Sequence, residues 1–144
     1  MVHELEAALE ADINGLAWMT PATKAKAKEK LFGLYVGIGY PEKWRDYSEF
    51  SVVKGDALGN QMRADLFDYH YSIDRIGKPV DRHEWSMTPQ TVNAVNLPLQ
   101  NALNFPAAIL ERPFFDAKAH DAFNYGAIGA VIGLVVGLRV NPPT

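Results

Sequence analysis

The chain has 144 residues, 48% of them hydrophobic and 11% aromatic, with a formal net charge of −3. That length suits one domain able to bury a core, and the acidic balance leaves no electrostatic footprint for nucleic acid. With no cysteine, disulfides and thiolate metal sites are excluded, and the acidic, amphipathic start Met1-Val2-His3-Glu4 lacks the basic-then-apolar order of a signal peptide.

In chain order, Val2, Leu5, Leu9, Ile13 and Leu16 recur at spacings of three and four, which predicts a helix over Val2–Met19. His3-Glu4 is half of a zinc motif, but Ala7 stands where the second histidine would be, so the pair reads as a solvated first turn. Thr20-Pro21 restarts a helix that runs to about Leu34, with Thr20 as N-cap and Pro21 in the first helical position. Its four lysines, Lys24, Lys26, Lys28 and Lys30, read as a solvated surface, not an anion site, in a chain that is acidic overall. Tyr35–Tyr40 is a short strand ended by Pro41. The turn Lys43-Trp44-Arg45-Asp46-Tyr47 is expected to pack its aromatics onto the core. Asp56–Ile76 is a second long helix with the stripe Leu58, Met62, Leu66, Tyr69 and Ile73 and a C-cap at Gly77. His70 has no second ligand four residues away. A loop follows to Pro89, with Trp85 and Met87 as wall residues. No repeat or linker interrupts what reads as one unit.

Thr91–Val95 and Asn101–Phe105 have strand composition and join through Leu97-Pro98. An edge strand there would offer unpaired backbone groups to an extended peptide. Taken alone, Asn93 reads as an asparagine capping its own turn. Asp121 to about Leu138 reads as one helix. Gly126, Gly129, Gly133 and Gly137 each cost it about 1 kcal/mol relative to alanine, which predicts a close approach along that face. The uncharged run Ala127–Leu138 contains G-x-x-x-G but falls short of the roughly 18–20 residues a spanning helix needs, so no membrane partner is expected.

One stretch goes further. Val92-Asn93-Ala94, Pro98, Asn101, Phe105-Pro106-Ala107-Ala108-Ile109-Leu110, Pro113-Phe114-Phe115-Asp116, Asn124-Tyr125-Gly126, Ile128-Gly129 and Val131-Ile132-Gly133 resemble the segment before the zinc-binding helix of the neprilysin and endothelin-converting-enzyme family of zinc endopeptidases. The runs Ile38-Gly39-Tyr40-Pro41 with Lys43–Tyr47, and Gly77–Ala94, extend the likeness into the first half. The resemblance implies an α+β fold, mostly helical with a small sheet, corresponding to the first half of a thermolysin-like zincin peptidase domain. It implies that Asn93 and Ala94 bind peptide, through the asparagine side chain and the backbone. Ile109, Phe114, Ala130 and Val131 would line a primed-side pocket for a large apolar side chain; without the likeness they would be ordinary core residues. The aromatic pair that follows Asn-Ala in the family is Val95-Asn96 here.

After Gly133 the likeness stops. Where the family has H-E-x-x-H, this chain has Leu134-Val135-Val136-Gly137-Leu138. The expected division is therefore 1–133, a partial peptidase domain, and 134–144, a divergent tail replacing the zinc motif. Zinc is the cofactor of the parent family and none is expected on this chain, whose His3, His70, His83 and His120 are scattered. Two readings follow: a truncated, catalytically dead endopeptidase, or a non-catalytic module holding peptides weakly through the edge strand and apolar pocket. Family members are commonly exported or membrane-anchored ectodomains; this chain carries no signal of either. Self-association through an uncovered last helix and strand edge is also expected.

Overall fold

The computed structural model describes residues 1–137; the helix end at Leu138 and the tail 139–144 lie outside the described residues. In chain order the elements are α1 (Val2–Gly15), α2 (Pro21–Phe32), β1 (Tyr35–Gly39), α3 (Ala57–Ile73), β2 (Val95–Leu97), β3 (Ala102–Pro106), a 3-10 turn (Ala107–Leu110), α4 (Asp121–Asn124), a π-helical turn (Tyr125–Gly129) and α5 (Ala130–Gly137). The fold is α+β, mostly helical with one small three-stranded sheet. Where the sequence reads as one unit, the structure forms two: Met1–Glu42 with the chain from Arg82 onward, and Lys43–Asp81.

In the first unit, the Thr20 hydroxyl accepts from the Thr23 N–H at 3.2 Å and Pro21 opens α2, so this helix start follows from its sequence signals. Ile13, Met19 and Leu31 are buried together and close the α1–α2 hairpin. At the far end of α2 the carbonyls of Lys30 and Gly33 accept from Asn101 Nδ2 at 3.1 and 2.7 Å. Asn101 sits at φ 51°, a left-handed conformation that asparagine tolerates better than most residues. One residue thus turns the chain into β3 and caps a helix. Arg82 supports the same corner, donating to the carbonyl of Gln100 at 2.9 Å and to that of Gly33.

The strand order is β1-β3-β2, with β1 parallel and β2 antiparallel to β3. All five residues of β3 are buried. Because side chains alternate across a strand, β3 faces two environments. Leu103 and Phe105 join Ile109, Ile128, Ile132, Val135 and Val136 in the main core, and Leu5 and Leu9 of α1 pack against it. Asn104 points the other way, in one cross-strand row with Gly37 and Val95. Trp85 covers that row. A Cβ at Gly37 would meet Asn104 Oδ1 and Trp85 Cζ2 at 2.8 Å each, so the close approach demands glycine there. His83 lies over Tyr35, ring centroids 4.4 Å apart.

The helix predicted from Asp121 is present, interrupted by the π-helical turn at Tyr125–Gly129 and continuing through Gly137. Its glycine face differs from expectation. A Cβ at Gly126, Gly133 or Gly137 would meet nothing within 4 Å, and only at Gly129 do neighbours stand at contact distance, from 3.5 Å.

In the second unit the expected N-cap is in place: Asp56 Oδ1 accepts from the Gly59 N–H at 3.0 Å. Arg63 donates to the Asp56 carboxylate at 3.0 Å and to the Ser51 carbonyl at 3.1 Å, and the Asn60 side chain pairs both ways with the Val53 backbone at 2.8 Å. Arg45 lies 4.0 Å from the Tyr71 ring centroid and bonds Asp68 at 2.6 Å, while Tyr47 stacks on Phe67 at 5.5 Å. The aromatic turn therefore packs onto α3 and takes no part in the main core, a correction to the sequence reading. A second correction concerns α3 itself. It buries no residue, and its stripe Leu58, Met62, Leu66, Tyr69 and Ile73 is 40–76% exposed. Periodicity identified the helix but not a partner for its face.

Candidate functional site

Strand β2 pairs with β3 and with no other strand among the described residues, which makes it an edge strand of the sheet. It begins at Val95, where the sequence suggested Thr91. Residues 91–94 approach it through tight local bonds: the Thr91 N–H donates to the Thr88 carbonyl at 3.0 Å and the Asn93 N–H to the Thr91 carbonyl at 3.1 Å. Asn93 is exposed at the mouth of the edge, and its Oδ1 accepts from the Ala94 N–H at 2.8 Å. Ala94 is half-buried against the main core.

The four expected pocket residues separate. Ile109 is a buried member of the main core, 4% exposed, and Phe114 and Val131 pack against it half-buried. Ala130 is exposed. Helix geometry explains the split: Ile128, Ile132, Val135 and Val136 take the inward side, and a residue two positions from both Ile128 and Ile132 points away. Ala94, Ile109, Phe114 and Val131 thus surround one apolar cluster; Asn93 and Ala130 stand outside it.

Phe114 is held in place by the Asn-Tyr-Gly motif. Asn124, 5% exposed, accepts from the Asp116 N–H at 3.0 Å and donates to the Asp116 carbonyl at 2.9 Å. The Ile128 N–H donates to the Phe114 carbonyl at 3.1 Å. These three bonds stitch the Phe-Phe-Asp loop to the helix, and Arg112 adds an ion pair to Asp116 at 2.6 Å. On the outside of the π-helical turn, Tyr125 donates to the Glu4 carboxylate at 3.1 Å, and that bond raises the Tyr125 hydroxyl above the usual phenol range.

Two asparagines bear on this region, and sequence reasoning passed over their roles. Asn96 Nδ2 donates to the Val135 carbonyl at 3.0 Å and ties β2 to α5; the signal was a polar residue in the middle of a short strand, where the family pattern has an aromatic. Asn104 is fully buried with neither side-chain atom hydrogen-bonded, and the buried Trp85 Nε1 beside it is also without a partner. Its signal was a polar residue between Leu103 and Phe105.

The residues present do not fit a zinc site. Leu134 is 64% exposed and Val135 7% exposed, and neither side chain has an atom able to ligate a metal or move a proton; Leu138 is also a hydrocarbon. Among the described residues no three His, Cys, Asp or Glu side chains gather closely enough to hold a metal ion. His3 pairs with Glu6 at 3.0 Å, His70 meets the edge of Tyr69 and His83 lies over Tyr35.

Two family models, each described as Peptidase family M13, match residues 1–41 and 93–135. Endothelin-converting enzyme 1 of Mus musculus is 36% identical over 140 residues, covering 92% of this chain and 18% of that protein. The crystal structure of Mycobacterium tuberculosis zinc metalloprotease ZMP1 in complex with inhibitor superposes with a TM-score of 0.86 at 47% identity, over 94% of this chain and 21% of that one. PepO from Lactobacillus rhamnosis HN001 gives a TM-score of 0.88 at 33% identity, over 94% and 22%. The chain therefore spans about a fifth of the length of each relative it matches.

Proposed function

Because the chain belongs to peptidase family M13, the family of the endothelin-converting enzymes and neprilysins, we propose that these residues are the peptide-holding part of a zinc endopeptidase and have no hydrolytic centre of their own. A peptide would lie extended beside Asn93 and Ala94, where the chain enters the edge strand β2, pairing with the backbone there. An apolar side chain of that peptide would rest against the wall formed by Ile109, Phe114 and Val131, with Ala130 at its exposed rim. The observation that carries this reading is that Ala94, packed against the apolar cluster, is the residue that leads directly into the edge strand β2. Asn93 gates the first contact: its side chain occupies the Ala94 N–H, and rotating it away frees that donor for a peptide carbonyl while giving the peptide a carboxamide to bond. Leu134, Val135 and Leu138 stand where the likeness places the two histidines and the glutamate, so no cleavage step is assigned to these residues.

Titration calorimetry with short extended peptides tests the binding half. Weak binding is expected for a peptide with a central phenylalanine, lost when that residue is aspartate and reduced in Asn93→Ala; no heat at millimolar peptide would remove the reading. Metal analysis tests the other half. One equivalent of zinc surviving dialysis against a weak chelator, or zinc-dependent cleavage of such a peptide, would show a hydrolytic site that these residues do not supply.

A further inference from the structure

We propose, resting on the peptide-holding reading above, that Asn124 is the positioning residue that makes the apolar wall selective, by holding Phe114 rigid enough to prefer one side-chain shape over another. The three wall residues are held differently. Ile109 lies in the 3-10 turn and Val131 in α5, so regular structure fixes their backbones. Phe114 stands in the loop between the 3-10 turn and α4. Whatever fixes that loop therefore fixes the shape of the wall.

The last helical run is irregular at the place that meets this loop. An α-helix bonds residues four apart and a π-helical turn bonds residues five apart, so the turn at Tyr125–Gly129 leaves an N–H out of the ladder. The Ile128 N–H goes instead to the Phe114 carbonyl at 3.1 Å. The Phe114 N–H donates to the Glu111 carbonyl at 3.0 Å, so both backbone groups of Phe114 are committed. Asn124 is the last residue before the turn. Its buried carboxamide accepts from the Asp116 N–H at 3.0 Å and donates to the Asp116 carbonyl at 2.9 Å. Two residues past Phe114, that reciprocal pair sets how the loop meets the turn and so keeps the Phe114 carbonyl on Ile128. An ionised aspartate at 124 could accept but not donate, and alanine could do neither.

A wall that can repack accepts many side chains, whereas one held in place favours the shape it already fits. With the Phe114 ring fixed, a phenylalanine of the peptide gains an aromatic contact that a leucine does not offer. At the usual strength of such pairs this is a preference of about two- to tenfold. With the loop released, the ring adapts to whatever is bound and the preference goes.

Titration calorimetry on the full chain, with two short peptides that differ only in a central phenylalanine or leucine, tests this through the ratio of the two affinities. The wild-type chain should favour phenylalanine about two- to tenfold, and Asn124→Ala should bind the two about equally. A smaller folded fraction lowers both apparent affinities by the same factor and cancels in the ratio. Ile13→Val, in the α1–α2 hairpin, is the control for stability alone and should keep the wild-type ratio. Deleting Gly126, which is exposed with nothing within 4 Å of where a Cβ would stand, takes the extra residue out of the π-helical turn and returns the Ile128 N–H to the ladder. That deletion should abolish the preference as Asn124→Ala does, and it carries the test if Asn124→Ala does not fold. An unchanged ratio in either variant, or the same fall in Ile13→Val, would overturn the proposal and leave peptide holding intact. Failure of the wild-type chain to bind either peptide would remove both.

Discussion

The last helical run and α3 are both rich in apolar side chains, yet only one of them makes a core. In residues 121–137, Ile128, Ile132, Val135 and Val136 meet the sheet through Leu103 and Phe105, and each is at most 7% exposed. In α3 a stripe of comparable hydrophobicity buries nothing, and the contacts that fix the 43–81 unit come from arginine, asparagine and aromatic side chains on the other face of the helix. The lesson is that periodicity reports which side of a helix wants cover, while burial depends on whether another element arrives. Stability in this molecule should concentrate where the sheet meets its helices, with α3 a structure of local bonds.

The widest test of that contrast is a pair of truncations. Phe105→Ala should cost about 3–5 kcal/mol, the range for emptying a buried aromatic site, whereas Leu66→Ala should stay within about 0.5 kcal/mol in the monomer, as an exposed position does. Urea unfolding at low micromolar concentration measures both, and similar losses at the two sites would erase the distinction. Next in size is Asn124→Ala. It strands the N–H and carbonyl of Asp116 and should cost about 1–3 kcal/mol; a change near zero would mean that the Phe-Phe-Asp loop does not depend on that clamp. Asn104→Val should run the other way. Replacing a buried, unbonded amide by a side chain of similar shape is expected to leave the fold unchanged or stabilise it by up to about 1 kcal/mol, and a clear loss would reveal a bonding partner for Asn104.

The smallest effect belongs to α3. The hydrogen bond from Arg63, and after it the one from the Gly59 N–H, holds the Asp56 carboxyl below the ordinary aspartate value. A carboxyl lowered by folding stabilises the fold above its unfolded value and loses that contribution as pH falls through the carboxylate range to its folded value. Acid should therefore fray the start of α3, and Asp56→Asn, which keeps a capping oxygen but cannot titrate, should flatten that dependence. The helical dichroism of the two proteins between neutral and strongly acid pH decides it; identical acid limbs would exclude Asp56 as the cause.

Much of the fold was legible because local chemistry dictates it. Thr20-Pro21 and Asp56 announced helix starts that bond as expected, and the predicted strand Asn101–Phe105 overlaps the central strand Ala102–Pro106, one residue out of register at each end. Longer-range facts were not legible. The glycines of the last helix suggested close packing that exists, weakly, only at Gly129, because composition cannot say which face of a helix is covered. The strand expected from Thr91 begins at Val95, since residues 88–93 bond among themselves as turns. Of the expected site, Ile109, Phe114 and Val131 do converge on one cluster with Ala94, whereas the position of Ala130 depends on helical phase, which the π-helical turn resets just before it. Asn96 and Asn104 were invisible as strand residues with roles, because their meaning lies in Val135 and Trp85, distant in sequence.

The packing of Trp85 on Gly37 has an optical consequence. The chain has three tryptophans; Trp18 and Trp44 are 67% and 60% exposed, while the indole N–H of Trp85 is buried over the sheet. Trp85 should therefore emit at shorter wavelength than the other two and shift to the red when β1 separates from β3. With Trp18 and Trp44 replaced by phenylalanine, the remaining fluorescence would follow the opening of the sheet alone and remain blind to the melting of α3, with no label added.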